Sequence, residues 1–166
     1  MPPAGSTDAT LLILGSLPGE ASLRAQRYYA HPQNQFWKLL GFAIGEDLAG
    51  LGYEQRLDRL SRRGIALWDV VGEAQRPGSL DGDIRRATAN KLIEFVATHP
   101  RLKAVAFNGK TAARIGRATL AGIVGVELIE LPSSSPAYTL ALARKAESWA
   151  MLGVLATPPE DGTVGP

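Results

Sequence analysis

The sequence predicts an α/β fold: a three-layer sandwich with a central, mostly parallel four-stranded sheet flanked by helices. Three observations lead there. Four short apolar runs, Thr10–Leu14, Ile65–Val71, Leu102–Phe107 and Val126–Leu131, each have the length of a buried strand. Helix-patterned segments separate them, and strands alternating with helices pack as a parallel sheet covered on both faces. The 18 glycines among 166 residues argue against an all-helical bundle.

The first run ends at Gly15, and Gly15-Ser16-Leu17-Pro18-Gly19 reads as a tight loop. A long segment follows, with a helix beginning near Asn34. Tyr53, Leu57 and Leu60 are spaced i, i+4, i+7, which predicts an amphipathic helix over 53–63, closed by Gly64. The second strand comes next. Residues 72–82 form a loop rich in Gly, Pro and Ser. Asp83 is placed to cap a helix running to about Thr98, with Leu92, Phe95 and Val96 inward. After the third strand, Asn108-Gly109-Lys110-Thr111 turns into a helix. Beyond the fourth, Leu142, Ala146, Trp149 and Leu152 mark the inner face of a last helix. In such sheets ligands bind at the carboxyl ends of the strands. The candidate loops are therefore 15–37, 69–82, 108–111 and 132–138.

Length and composition fit one domain with a substantial core: 45% of the residues are hydrophobic. No apolar stretch approaches the roughly 20 residues of a membrane span, and a secretory signal is not expected. The chain has no cysteine, which excludes disulfides, thiolate metal sites and a cysteine nucleophile. Two histidines do not make a histidine-rich zinc site, so no metal and no cofactor is expected. Residues 1–8 and 157–166 are proline-rich and hold Asp8, Glu160 and Asp161 with no basic residue. They are expected as flexible tails around a single domain over 9–156. That body holds all 18 basic residues, a net of +5 behind an overall charge of +2. Such a charge permits a polyanionic partner without naming one, and a monomer is the default expectation.

Two loops carry chemistry. Gly109-Lys110-Thr111 after a strand suggests a phosphate loop, but the pattern needs glycine at 104, where the chain has Ala104. What survives is a helix start whose free N–H groups, with Lys110 close by, suit a phosphate; the bland alternative is a simple turn. The second loop, Tyr28-Tyr29-Ala30-His31-Pro32-Gln33-Asn34-Gln35-Phe36-Trp37, packs four aromatics, a histidine and an asparagine into ten residues. Aromatic faces clamp flat bases, and asparagine reads a base edge through paired hydrogen bonds. Phe36 and Trp37 also suit the core on a first helical turn, with Asn34 as its N-cap. Tyr28, Tyr29 and His31 fit a packed loop as well as a site.

The segments GSLPGEAS, YYAHPQNQFWKLL, FNGKTA and LPSSSP, in this order and spacing, resemble the uracil-DNA glycosylase superfamily over roughly residues 11–150. AHPQNQFWKLL is especially similar to the mismatch-specific uracil and thymine glycosylases. Those relatives carry G-x-N-P-G at the first loop, where the Asn positions a water; this chain has Leu17 there, and leucine cannot do that. GSLPG together with YYAHPxNxFW, LWDVV and GSLD resembles the hypoxanthine-DNA glycosylase branch. That resemblance implies a base-excision repair enzyme acting on DNA that contains a deaminated base, hypoxanthine ahead of xanthine or uracil. It also implies Asn34 as the catalytic residue and a cytoplasmic or nucleoid-associated location. The alternatives are a mismatch-type uracil or thymine glycosylase and a catalytically impaired binder of damaged DNA.

The implied reaction sets further expectations. The target nucleotide must leave the duplex, and its base departs with negative charge while the sugar becomes oxocarbenium-like. Glycoside chemistry generally uses two carboxylates. Asn34 is neutral; its carbonyl is expected to orient a water and face the developing positive charge, which makes for a slow enzyme. The resemblance assigns Gly15, Ser16, Leu17, His31, Phe36, Asp69 and Asn108 to the base pocket. Asp69 is suited to accept the N1–H of hypoxanthine or to cap a turn. His31 suits a base, a phosphate or its own loop. Ser133, Ser134, Ser135 and Lys110 are expected on DNA phosphates. Tyr138 stands where a wedge would fill the gap left by the flipped base, or packs on the surface. Arg114, Arg144 and Lys145 are phosphate contacts or solvated charges.

Overall fold

β1 (Leu11–Gly15) is buried along its whole length, as its unbroken apolar sequence requires of a strand covered on both faces. The computed structural model describes residues 1–16, 18–70 and 91–158. β1 pairs in parallel with β2 (Ile65–Asp69) on one side and β3 (Ala104–Asn108) on the other, and β4 (Glu127–Leu131) pairs with β3. The sheet order is β2-β1-β3-β4. At the β4 edge, Glu127 and Glu130 face solvent, charges that discourage pairing with another chain.

Side-chain alternation sorts the strands into two cores. Leu11 and Ile13 meet Phe36, Leu39, Leu40 and Trp149 on one face. Leu12 and Leu14 meet Leu92, Phe95, Ala112 and Ala113 on the other. The helices are α1 (Glu20–Ala25), α2 (Phe36–Ile44), α3 (Tyr53–Arg62), α4 (described over 91–97), α5 (Lys110–Thr119), α6 (Leu142–Trp149) and α7 (Leu152–Leu155). The expected three-layer α/β architecture is therefore present. Among the described residues no helix is long and apolar enough to cross a membrane.

Four details differ from the sequence reading. α1 lies in a segment read as loop. α2 starts at Phe36, because the Asn34 side chain accepts the Phe36 N–H from just before the helix (2.9 Å). The last helix is broken at Ala150 and Met151 into α6 and α7. Residues 1–8, expected as a flexible tail, dock along the open edge of β2. Ala4 N–H donates to Leu67 O and Leu67 N–H to Ala4 O, both at 2.9 Å, and Tyr28 Oη donates to Pro2 O at 2.6 Å. The physical reason is the edge itself, whose unpaired backbone groups take any strand that reaches them. Thr157 is likewise tied to Arg63 through its N–H (2.6 Å) and its carbonyl (2.7 Å). The loop at 72–82, the helix start at Asp83, Leu17 and the tail beyond Pro158 lie outside the described residues.

Candidate active site

The carboxyl ends of all four strands open into one cleft of about 370 Å³. Gly15 and Ser16 come from β1, Asp69 from β2, Asn108 from β3, and Ser133, Ser134 and Ser135 from the turn after β4. Tyr29, His31 and Asn34 enter from the loop between α1 and α2, and Glu20, Ser22 and Arg24 from α1. The fold thus gathers residues from positions 15 to 135 at one end of the sheet.

One wall is a continuous hydrogen-bond network. Ser134 is 0% exposed. Its N–H donates to Asn108 Oδ1 (2.9 Å), which fixes the other end of that amide as nitrogen. Asn108 Nδ2 donates to Ser134 Oγ (2.9 Å), and the Ser134 hydroxyl donates to Asn34 Oδ1 (2.8 Å). The same Asn34 oxygen accepts the Phe36 N–H. Gln35 N–H donates to Ser134 O (3.0 Å). Behind this wall Lys145, also 0% exposed, donates to Gln35 Oε1 (2.9 Å) and Ser135 O (3.2 Å), with its Nζ 5.3 Å from the Tyr138 ring centroid. Burial pushes the Lys145 ammonium below its ordinary pKa.

The facing wall is left open. The Tyr29 ring lies flat on Phe36, centroids 3.7 Å apart and planes within 9°. Tyr29 adopts φ +54°, a left-handed conformation a tyrosine rarely takes. Tyr29 Oη and Asp69 Oδ2 are buried with no hydrogen-bond partner among the described residues. Gly15 lets both approach: a Cβ there would sit 2.8 Å from Asp69 Oδ1 and 3.0 Å from Tyr29 Oη. Burial pushes the Asp69 carboxyl up to about 6 and raises the Tyr29 phenol, against the lowering influence of the Asn108 side chain near its hydroxyl.

Of the residues expected at the site, Asn34, Gly15, Ser16, His31, Asp69, Asn108, Ser133, Ser134 and Ser135 line the cleft. His31 is exposed and its Nδ1 accepts the Gln33 N–H (3.1 Å). Phe36 is 0% exposed and reaches the cleft only through the Tyr29 ring stacked on it. Ser134 lies too deep for a phosphate, and its hydroxyl is committed inside the wall. Lys110 and Arg114 line a separate depression of about 380 Å³ with Thr111, Arg117 and Glu130. Tyr138 is 44% exposed at the surface of α6, over Lys145. Arg144 is exposed beside Glu147 (3.9 Å). Sequence reasoning missed the α1 contribution and the buried role of Lys145. The signal for the latter was present, since positions 142, 145, 146 and 149 share one helical stripe.

Comparison with known proteins agrees with this geometry. The family model described as the uracil DNA glycosylase superfamily matches residues 2–157. A hypoxanthine DNA glycosylase of Methanosarcina barkeri is 41% identical over 149 residues, covering 90% of this chain and 93% of the relative. One from Methanosarcina acetivorans is 40% identical over 139 residues, covering 84% and 87%. The solution NMR structure of a candidate uracil DNA glycosylase from Methanosarcina acetivorans superposes with a TM-score of 0.77 at 38% identity, covering 93% of this chain and 95% of that one. With a family match across nearly its whole length and relatives of this similarity, the chain belongs to the uracil DNA glycosylase superfamily and is a DNA glycosylase.

Proposed function

We propose that the protein is a monofunctional glycosylase that releases deaminated bases from DNA, hypoxanthine first and xanthine or uracil after it, working as a monomer in the cytoplasm or nucleoid. The observation that carries the substrate reading is Asp69 Oδ2, buried without a partner among the described residues in the cleft that Tyr29 also lines. A buried acceptor next to a flat aromatic suits a planar base that presents an N–H, as hypoxanthine does at N1. The names of the two Methanosarcina relatives support the same choice.

In this reading a nucleotide swings out of the duplex and its base stacks in the cleft against Tyr29, which is backed by Phe36. Asp69 accepts the N1–H in its ionised form. The glycosidic C–N bond breaks with its electron pair leaving on the base, a water oxygen bonds C1′, and the water's proton ends on the base. Asn34 acts at the reacting end; Glu20, the carboxylate that lines the cleft besides Asp69, accepts from Arg24 at 2.8 Å. Ser133 and Ser135 accept backbone N–H groups (3.1 and 3.2 Å), which leaves each hydroxyl proton free for a phosphate oxygen. Lys110 and Tyr138 extend the DNA-facing surface on either side.

The test uses duplexes carrying hypoxanthine, xanthine or uracil, treated with enzyme and then alkali, for wild type and Asn34→Ala. Strand breaks at hypoxanthine in wild type alone are expected, with affinity for DNA falling steeply as salt rises. Breaks confined to uracil would reassign the protein to the mismatch-type enzymes. Tight binding without breaks would make it a binder of damaged DNA.

A further inference from the structure

We infer that Asn34 meets the nucleotide through its amide N–H₂, as a hydrogen-bond donor, and that Ser134 and Asn108 are positioning residues that hold it that way. The inference rests on the glycosylase reading and replaces the expectation of a water-orienting carbonyl. The direction of every bond in the wall is forced. A backbone N–H can only donate, so Phe36 fixes the atom facing it as Asn34 Oδ1, and Ser134 N–H fixes Asn108 Oδ1. Asn108 therefore presents its nitrogen to Ser134 Oγ, and the serine's single proton has one remaining acceptor, Asn34 Oδ1. An amide oxygen has two lone pairs, and both are now used. Asn34 Nδ2 has no partner among the described residues and is not among their buried unpartnered atoms, although the residue lines the cleft. The open end of the side chain is a donor.

That orientation suits the leaving group. As the glycosidic bond breaks, negative charge gathers on the base, and a fixed N–H aimed at one of its acceptors stabilises the transition state more than the ground state. The amide does not have to reorganise, because its other end is held by two hydrogen bonds inside a wall that excludes solvent. Ser134 acts only through Asn34: it is fully buried, and the hydroxyl that would touch a ligand is spent.

Asn34→Asp separates the two roles. The aspartate keeps the size and the oxygen that accepts from Phe36 and Ser134, and it places a second oxygen where the N–H₂ was. Single-turnover release of hypoxanthine is measured from pH 5 to 8 for wild type, Asn34→Asp, Asn34→Ala and Ser134→Ala, with folding checked by circular dichroism. The donor role predicts that Asn34→Asp is as slow as Asn34→Ala at pH 8, about 100-fold below wild type. Its deficit relative to wild type at the same pH should shrink on acidification, as its carboxyl acquires a proton to donate, while both enzymes share the loss that protonation of Asp69 brings. Ser134→Ala should lose about tenfold in kcat with KM unchanged, and Ser134→Thr, which restores the hydroxyl, should recover part of it. An Asn34→Asp enzyme at or above the wild-type rate at pH 8 overturns the inference alone, since a carboxylate orients water better than an amide does. A wild type inert on every duplex overturns the glycosylase reading and this inference with it.

Discussion

The two walls of the cleft solve opposite problems. On the Asn108–Ser134–Asn34 side every buried polar atom named above is paired, and Lys145 braces the turn from behind. On the Gly15–Asp69–Tyr29 side two buried polar atoms have no partner among the described residues. A satisfied network holds geometry; an unsatisfied one costs stability and is relieved when water or a ligand supplies the missing partner. In the proposed reading the first wall orients the reacting end and the second recognises the base. It also makes opposite forecasts for mutations. Damage to the paired wall lowers activity and stability together, whereas removing polarity from the open wall lowers activity and raises stability.

The largest effect is expected from Asp69→Ala, which removes the acceptor for the base N–H. Release of hypoxanthine from duplex DNA should fall by about 100-fold, because a site built to pair a polar group discriminates strongly once that pair is lost. The ionisation of Asp69 gives a second handle. The wild-type rate should drop as pH falls through about 6, where the carboxylate takes up a proton. The rate of Asp69→Asn should be lower and flat through that range, as a pH–rate profile of both enzymes will show. Ser134→Ala comes next. Besides the tenfold rate loss, it strands Asn108 Nδ2, and urea denaturation should record a stability loss of about 2 kcal/mol.

The open wall should respond with the other sign. The Asp69 pKa is raised in the fold from 3.8 to about 6, so ionising it costs stability as pH rises between those values, and the cost is complete above them. Asp69→Asn should therefore melt higher than wild type at pH 7, by on the order of 2 kcal/mol, and the two should converge near pH 4. Tyr29→Phe is the mildest test. It deletes a hydroxyl with no hydrogen-bond partner among the described residues, and should raise Tm slightly while slowing release about fivefold. A loss of stability in both Asp69→Asn and Tyr29→Phe at pH 7 would erase the distinction between the walls.

Much of this was legible in the sequence, for identifiable reasons. The four strands read through because a parallel sheet covered on both faces demands unbroken apolar runs, and their ends named most of the cleft. α1 did not read through, since six residues behind Pro18-Gly19 carry too short a period. The docking of residues 1–8 left no trace either, because it depends on backbone pairing at an edge, which side-chain patterns do not encode. Three consecutive serines look alike on paper. Only the fold singles out Ser134, by bringing it to Asn34, 100 residues away, and to Asn108, 26 away. Phe36, expected in the base pocket, lies buried behind the Tyr29 ring. The sense of the Asn34 amide was beyond the sequence, because it is set by which donors surround it.

The most direct test of the account is single-turnover release of hypoxanthine from a duplex containing deoxyinosine, comparing wild type with Asn34→Ala at pH 7.5 and matched DNA occupancy. The account predicts release by wild type, and a rate about 100-fold lower in the variant with duplex affinity unchanged. Equal rates in the two proteins, or no release by wild type, would contradict it.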